Sequence, residues 1–276
     1  MKKLLAVISG LALLACTSPA WSAPVDAFKD LKGSLDIAGG TAHIPVMKAA
    51  AKAIMEANPN IHITVAGGGS GVGVQKVGEG LVQIGNTGRA LKDTEIAKYG
   101  LKSFPFAIDG VAVAVNPENV VKSLSKAQLK DIFAGKITNW KEVGGKDAAI
   151  AVYVREDGSG TRETFDGRAI DKTPYLPGAN TVSSNGAMKT AIAQNPDAIG
   201  YVGIGHLDKT VQGVTIDGMV PTQENAASGT YKITRLLYMN TKGEPTGLTK
   251  AFIDYIFSPD GTGFVKKAGY IPYSQK

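Results

Sequence analysis

Cysteine is nearly absent. Cys16 is the only one in 276 residues, so no disulfide can form within the chain, and beyond residue 16 there is no thiolate nucleophile. Histidine is scarce: His43, His62 and His206 stand alone, and with no cysteine near them they make no metal-ligand cluster. Aromatic residues are only 7 %, and three glycine-and-hydroxyl loops that could shape a ligand site contain none, which argues against a sugar receptor with aromatic platforms. Long apolar runs are missing too. The one from Leu4 to Ala15 is too short to span a bilayer. Basic residues exceed acidic ones, for a net charge of +6. They are scattered, without a basic helix or an aromatic–basic alternation, which excludes nucleic acid as a partner. Three enzyme signatures fail on spacing around Gly67-Gly68-Gly69-Ser70-Gly71-Val72-Gly73. The phosphate loop lacks its Gly-Lys-Ser/Thr, the dinucleotide fingerprint lacks its third glycine, and Val72 stands where a nucleophile elbow needs glycine.

What is present begins with an export signal. Lys2 and Lys3 precede the apolar run, and small residues follow it. Ala20-Trp21-Ser22 offers cleavage before Ala23, and residues 1–22 are the expected signal peptide. Leu13-Leu14-Ala15-Cys16 is a second exit, a lipoprotein box with Cys16 lipidated, although Leu14 departs from its pattern. Either exit places the protein in the periplasm, free or anchored. Without disulfides, the exported chain must rely on a true core. Its length allows one large domain or two medium ones.

Strand and helix patterns alternate almost throughout, which predicts α/β architecture with mainly parallel sheets. Ligands in such sheets bind beyond the carboxyl ends of strands, where helices begin. Three places fit. Leu35 to Gly40 leads to Thr41 and a helix over Val46–Ala57 with Pro45 in its first turn. Ile61 to Ala66 leads through the glycine-rich loop and Ser70 to a helix from about Val74. Ile150 to Val154 leads to Arg155-Glu156-Asp157-Gly158-Ser159-Gly160-Thr161 and a third helix. A strand, a glycine turn and a helix start leave backbone N–H groups free at one point, where the helix dipole favours an anion. Arg155 adds a fork suited to an oxyanion, and Ser159 and Thr161 add hydroxyls. Arg89 could face the cleft or lie in solvent, with the surface as the default for an arginine. His43 is a candidate for the cleft, His62 for the surface and His206 for a loop. Gly110–Val115 reads as a strand covered on both faces, and Lys250–Phe257 as the last clear helix.

In order along the chain, Gly39-Gly40-Thr41, Gly67 to Gly71, Ile84-Gly85-Asn86-Thr87, Leu129 to Trp140, Arg155 to Arg162, Ala198 to Val202 and Leu237 to Pro245 resemble the periplasmic phosphate-binding proteins of ABC importers, in their shorter form. The resemblance covers nearly all of the chain beyond the signal, and Arg-x-Asp-Gly-Ser-Gly-Thr is its specific element. It implies a type II periplasmic binding fold of two lobes with the anion in the cleft between them. The first lobe would comprise residues 23–115 and 230–276, and the second 116–229. It implies phosphate binding by Thr41 through hydroxyl and N–H, by Ala42 through N–H where the family often has phenylalanine, and by Ser70, Arg155, Ser159, Gly160 and Thr161. It implies a monomer that delivers inorganic phosphate to a membrane permease, with no catalysis, no cofactor and no metal.

One departure stands out. Well-known members carry an aspartate after the pair matching Asn86-Thr87, which accepts a hydrogen bond from protonated phosphate and repels sulfate. Here the residue is Gly88. Another tetrahedral oxyanion, such as sulfate, molybdate or tungstate, is therefore the alternative ligand, and Asp36 or Asp157 are candidates to replace the acceptor. The remote alternative is a secreted serine hydrolase built on Ser70 or Ser159 with a base among the three histidines.

Overall fold

Local chemistry sets the elements. Pro45 opens α1 (Ile44–Ala57) and Asn58 closes it in extended conformation. Ser125 caps α4 (Lys126–Phe133), accepting from the Gln128 N–H while the Gln128 side chain returns to the Ser125 N–H. A computed structural model describes residues 25–273; the expected signal peptide and Cys16 lie outside the described residues. The first strands are β1 (Gly33–Gly39), β2 (Ile61–Gly68), β3 (Ile84–Thr87) and β4 (Leu101–Val115), with α2 (Gly69–Gly78) and α3 (Asp93–Tyr99) between them. After the two-residue β5 (Ser123–Leu124) and α4 come β6 (Ala151–Arg155), α5 (Gly160–Arg168), β7 (Asn180–Val182), α6 (Asn185–Gln194) and β8 (Ala198–Gly203). Short β9 (Gln212–Gly213), β10 (Thr215–Ile216) and α7 (Gln223–Ala227) precede β11 (Thr234–Lys242), α8 (Gly247–Phe257), α9 (Pro259–Lys267) and β12 (Ile271–Pro272).

Three differences from the sequence reading have physical causes. α2 begins at Gly69, not near Val74, so the glycine-dense stretch is helical. A Cβ at Gly73 would collide with the Asn86 carbonyl and press on the Gly39 Cα. The glycines let this helix lie directly on the ends of β1 and β3. β4 is far longer than Gly110–Val115 because it serves two sets of partners. α9 follows α8 almost without a break, started by Ser258 and Pro259, and packs Val265 into the core.

The strand order is β2-β1-β3-β11-β4-β8-β6-β7. β2, β1 and β3 run parallel, as do β8, β6 and β7. Between the two parallel groups, β11 and β4 are antiparallel to their neighbours. β4 pairs with β11 from Leu101 to Gly110 and with β8 from Val111 onward, so it leaves one lobe and enters the other. The fold is thus a two-lobed α/β fold, its sheets flanked by helices. Each lobe has its own core. One gathers Leu35, Ile37, Val46, Ile54, Ala107, Leu237 and Phe252; the other gathers Val111, Val113, Phe133, Phe165, Tyr201, Tyr231 and Ile233. The change of core falls between Ala107 and Val111 on β4 and between Ile233 and Leu237 on β11. Asp109 and Arg235 face each other there in register.

Candidate functional site

Three helix starts converge where the lobes meet. Thr41 and Ala42 lie in the 3-10 turn that opens into α1, Ser70 in the first turn of α2, and Gly160 and Thr161 in the first turn of α5, with Ser159 as its cap. The first N–H groups of a helix have no partner within it. All seven residues singled out in the sequence, Thr41, Ala42, Ser70, Arg155, Ser159, Gly160 and Thr161, line one pocket. Gly40, His43, Gly69, Gly88 and Arg235 complete it. The cavity is small, about 10 Å³, roughly one water position. A sugar or another organic ligand of that size would not enter without the lobes parting.

The lobes are held together across the pocket. The Gly71 N–H donates to the Gly158 carbonyl at 3.0 Å. Asn185, wholly buried at the start of α6, donates to Thr41 Oγ1 from its backbone N–H at 3.3 Å and from Nδ2 at 3.1 Å. Arg89 is no surface residue. Its side chain is 11 % exposed, clasped by Glu95 at 2.7 Å and by Glu163 of α5 at 3.0 Å. Sequence alone does not show the pairing, because Glu163 is far from Arg89 along the chain and meets it only when α5 is brought against this lobe.

Arg155 is 1 % exposed. Its backbone N–H donates to the Tyr201 hydroxyl at 2.9 Å, and Tyr201 is itself stacked on Phe165, 4.1 Å between ring centres. The guanidinium donates to both carboxylate oxygens of Glu156, at 2.7 and 2.9 Å, and to the carbonyls of Val182 and Ser183 at 3.2 Å. Nη1 is left buried without a partner. A charged donor so placed is costly unless something anionic meets it.

Arg235 was not singled out in the sequence. It donates to Asp109 Oδ2 from Nε at 2.9 Å and Nη2 at 2.7 Å, and from Nη1 to Thr161 Oγ1 at 2.9 Å. Its signal was an arginine at an inward position of an alternating strand, between Ile233 and Leu237. Burial pushes the Asp109 carboxyl above its usual range, and Arg235 opposes that rise.

His43 is wholly buried, packed against Phe106. Burial first, then Arg235, pulls its pKa from 6.5 down to about 3. His206 falls to about 4, through burial and then Arg235, Lys189 and Arg155. Both rings are therefore neutral in the folded protein near neutral pH. Because the unfolded chain protonates them near 6.5, it binds more protons than the folded one below that pH. This contribution to stability is complete above about pH 7 and shrinks as pH falls toward 4, by up to about 1.4 kcal/mol per pH unit for each histidine. Urea titrations at pH 7.5, 6 and 5 should show this decline, and His43→Gln should flatten it. An unchanged midpoint from pH 7.5 to 5 would contradict it.

Comparison with known proteins agrees with this geometry. A description of the PBP superfamily domain matches residues 25–260. A phosphate-binding protein PstS of Bacillus subtilis is 46 % identical over 243 residues, 87 % of this chain and 81 % of that protein.

The chain belongs to the PBP superfamily.

Among solved structures, a putative phosphate ABC transporter substrate-binding protein from Clostridium perfringens, with bound phosphate, superposes with a TM-score of 0.83 at 38 % identity, over 88 % of this chain and all of that one. An ABC-type phosphate transport receptor from Vibrio cholerae gives 0.69 at 34 %, over 86 % and 99 %.

Within this superfamily frame, the candidate acceptors Asp36 and Asp157 are not in the pocket. Asp36 accepts from Thr64 on the far part of β1, and the Asp157 side chain is 95 % exposed beside Arg162. The hydrolase alternative finds no support in the geometry: among the described residues no serine is hydrogen-bonded to a histidine, and Ser70 Oγ accepts from the Gly88 N–H at 3.0 Å. His62 is exposed, as expected; His206 closes the 3-10 turn Ile204–His206 that directly follows β8, rather than lying in a loop. No helix of the described residues is long and apolar enough to cross a membrane.

Proposed function

We propose that this protein is an extracytoplasmic solute-binding protein that captures inorganic phosphate and delivers it to the membrane permease of an ABC importer, acting as a monomer and without catalysis. The observation that carries the reading is the unpartnered, buried Arg155 Nη1 in a small pocket ringed by three helix starts. Its ligands would be the hydroxyls of Thr41, Ser70, Ser159 and Thr161, the N–H groups of Thr41, Ala42, Ser70, Gly160 and Thr161, and the Arg155 fork. The relatives named phosphate-binding protein support phosphate as the anion; the export signal read at residues 1–22 supports the periplasm, reached by cleavage after residue 22 or by a lipid on Cys16, as its place. The lobes would part near the Asp109–Arg235 pair, a few residues from the lobe boundaries expected at residues 115 and 230. Opening there would be a hinge motion of two otherwise rigid bodies.

Calorimetric titration of protein stripped of bound anion, with phosphate at pH 7.5, tests this. Saturable one-to-one binding is expected, with no turnover of phosphate esters. Absence of phosphate binding, or steady ester hydrolysis, would overturn it.

A further inference from the structure

Just outside the pocket, an ion pair joins the two lobes. Arg89 follows Gly88, which lines the pocket, and Glu163 stands two residues past Thr161, which lines it from the other side. Arg89 follows β3 of one lobe, and Glu163 belongs to α5 of the other. They meet at 3.0 Å, Arg89 Nε against Glu163 Oε2. Among the described residues it is the one ion pair that spans the cleft; Asp109–Arg235 lies instead on the strands that join the lobes.

The arginine is set for this contact by its own lobe. Nη1 and Nη2 donate to the two Glu95 oxygens at 2.8 and 2.7 Å, and Nη1 also donates to the Ala90 carbonyl at 3.0 Å. Glu95 is fixed in turn, because its Oε2 accepts from the Lys92 N–H at 2.8 Å at the start of α3. Thr87 Oγ1 donates to the Arg89 carbonyl at 2.8 Å. All these partners belong to one lobe and would stay in place when the lobes part. Nε alone reaches the other lobe. A planar fork already held on one side loses little freedom when it takes one more contact.

The seat of α5 brings Glu163 to it. A Cβ at Gly160 would collide with Ser70 Oγ and lie 3.1 Å from the Gly88 Cα. With no side chain at 160, the start of α5 rests directly on Ser70 and Gly88. Glu163 stands less than one helical turn further on and meets Arg89. Parting the lobes removes that seat. Glu163, whose side chain is 36 % exposed even when closed, would return to water, while Arg89 would keep Glu95.

We propose that Arg89 and Glu163 are positioning residues: their ion pair forms only in the closed protein, latches the lobes over the bound anion and sets the rate at which the anion leaves. The inference rests on the reading of the pocket as a phosphate site. Neither residue lines that pocket, so both act through the lobes and not by touching the anion. A contact present in one state alone shifts the balance toward that state.

The charge of Glu163 works the other way. A carboxylate near the pocket repels an anion, so removing it would by Coulomb's law alone tighten binding and slow release. Loss of the latch has the opposite sign, which separates the two roles.

The test is the release rate of radiolabelled phosphate from loaded protein at pH 7.5, chased with excess unlabelled phosphate and sampled by rapid filtration, with Kd from calorimetry. Glu163→Ala should speed release and raise Kd by about fivefold, the upper range for a partly exposed ion pair. Association, the ratio of release rate to Kd, should change less than about twofold. Glu163→Asp keeps the charge on a stem one methylene shorter and should speed release as well. Urea unfolding of the anion-free protein should be nearly the same in all three, since the open form lacks the pair. Release unchanged or slowed in Glu163→Ala would overturn the latch while leaving the phosphate-receptor reading intact. A wild-type protein that retains no labelled phosphate would overturn both.

Discussion

Arg155→Ala should abolish high-affinity anion binding while leaving a folded protein. The substitution removes, among the described residues, the one buried cation whose free Nη1 has nothing else to meet. A charge-assisted contact to a desolvated anion is worth more than a neutral one, and an uncompensated charge in such a site costs about 3–5 kcal/mol. Kd should therefore rise by roughly two to four powers of ten. Stability should fall much less, because the abandoned Glu156 is 30 % exposed and can return to water. Arg155→Lys should recover only part of the loss, since an ammonium cannot hold both Glu156 oxygens and the ligand in one planar fork. Calorimetry paired with urea unfolding separates the two effects. Near-normal affinity in Arg155→Ala would remove this residue from the site.

Asp109→Ala should be the most damaging change to the fold near the pocket, and anion should partly repair it. Arg235 is 4 % exposed and Asp109 fully buried, so removing the carboxylate leaves a buried guanidinium with only Thr161 and no counter-charge. Breaking such a pair from one side costs about 3–5 kcal/mol. The effect reaches beyond one lobe, because Asp109 and Arg235 sit on the two strands that cross between the cores. An anion in the pocket would lie beside the orphaned Arg235 and supply charge in place of the carboxylate. Saturating phosphate should then raise the melting temperature of the variant by more than that of the wild type. An equal rise in both would mean that Arg235 does not sense the ligand.

The parts of this site written in consecutive residues were legible. Thr41, Ser70 and the run from Arg155 to Thr161 each follow a strand, stand at a glycine turn and open a helix, so their free N–H groups could be inferred before any fold was known. What joins them across space was not. The meaning of Arg235 comes from Asp109, far away in sequence, and from the room that Gly88 leaves beside it. Only the closed cleft brings Asn185 to Thr41. Arg89 has the default look of a surface residue until Glu95 and Glu163 are seen around it. α2 shows the opposite error: its glycines argued for a loop by propensity, whereas the close approach of Gly73 to Asn86 and Gly39 made the same glycines the condition for a helix. In the fold, alternation of strand and helix revealed the class. The antiparallel crossing of β4 and β11 and the position where the core changes depend on pairing partners that lie in distant parts of the chain.

The central claim is that an oxyanion sits between the lobes on donors from both. The most direct measurement is a crystal structure of the protein grown with phosphate. The account predicts tetrahedral density within hydrogen-bond reach of Arg155 Nη1 and of the Thr41, Ser70 and Thr161 hydroxyls, with Asn185 still on Thr41 and Arg235 still on Thr161. Density elsewhere on the surface, or an empty pocket at saturating phosphate, would contradict it.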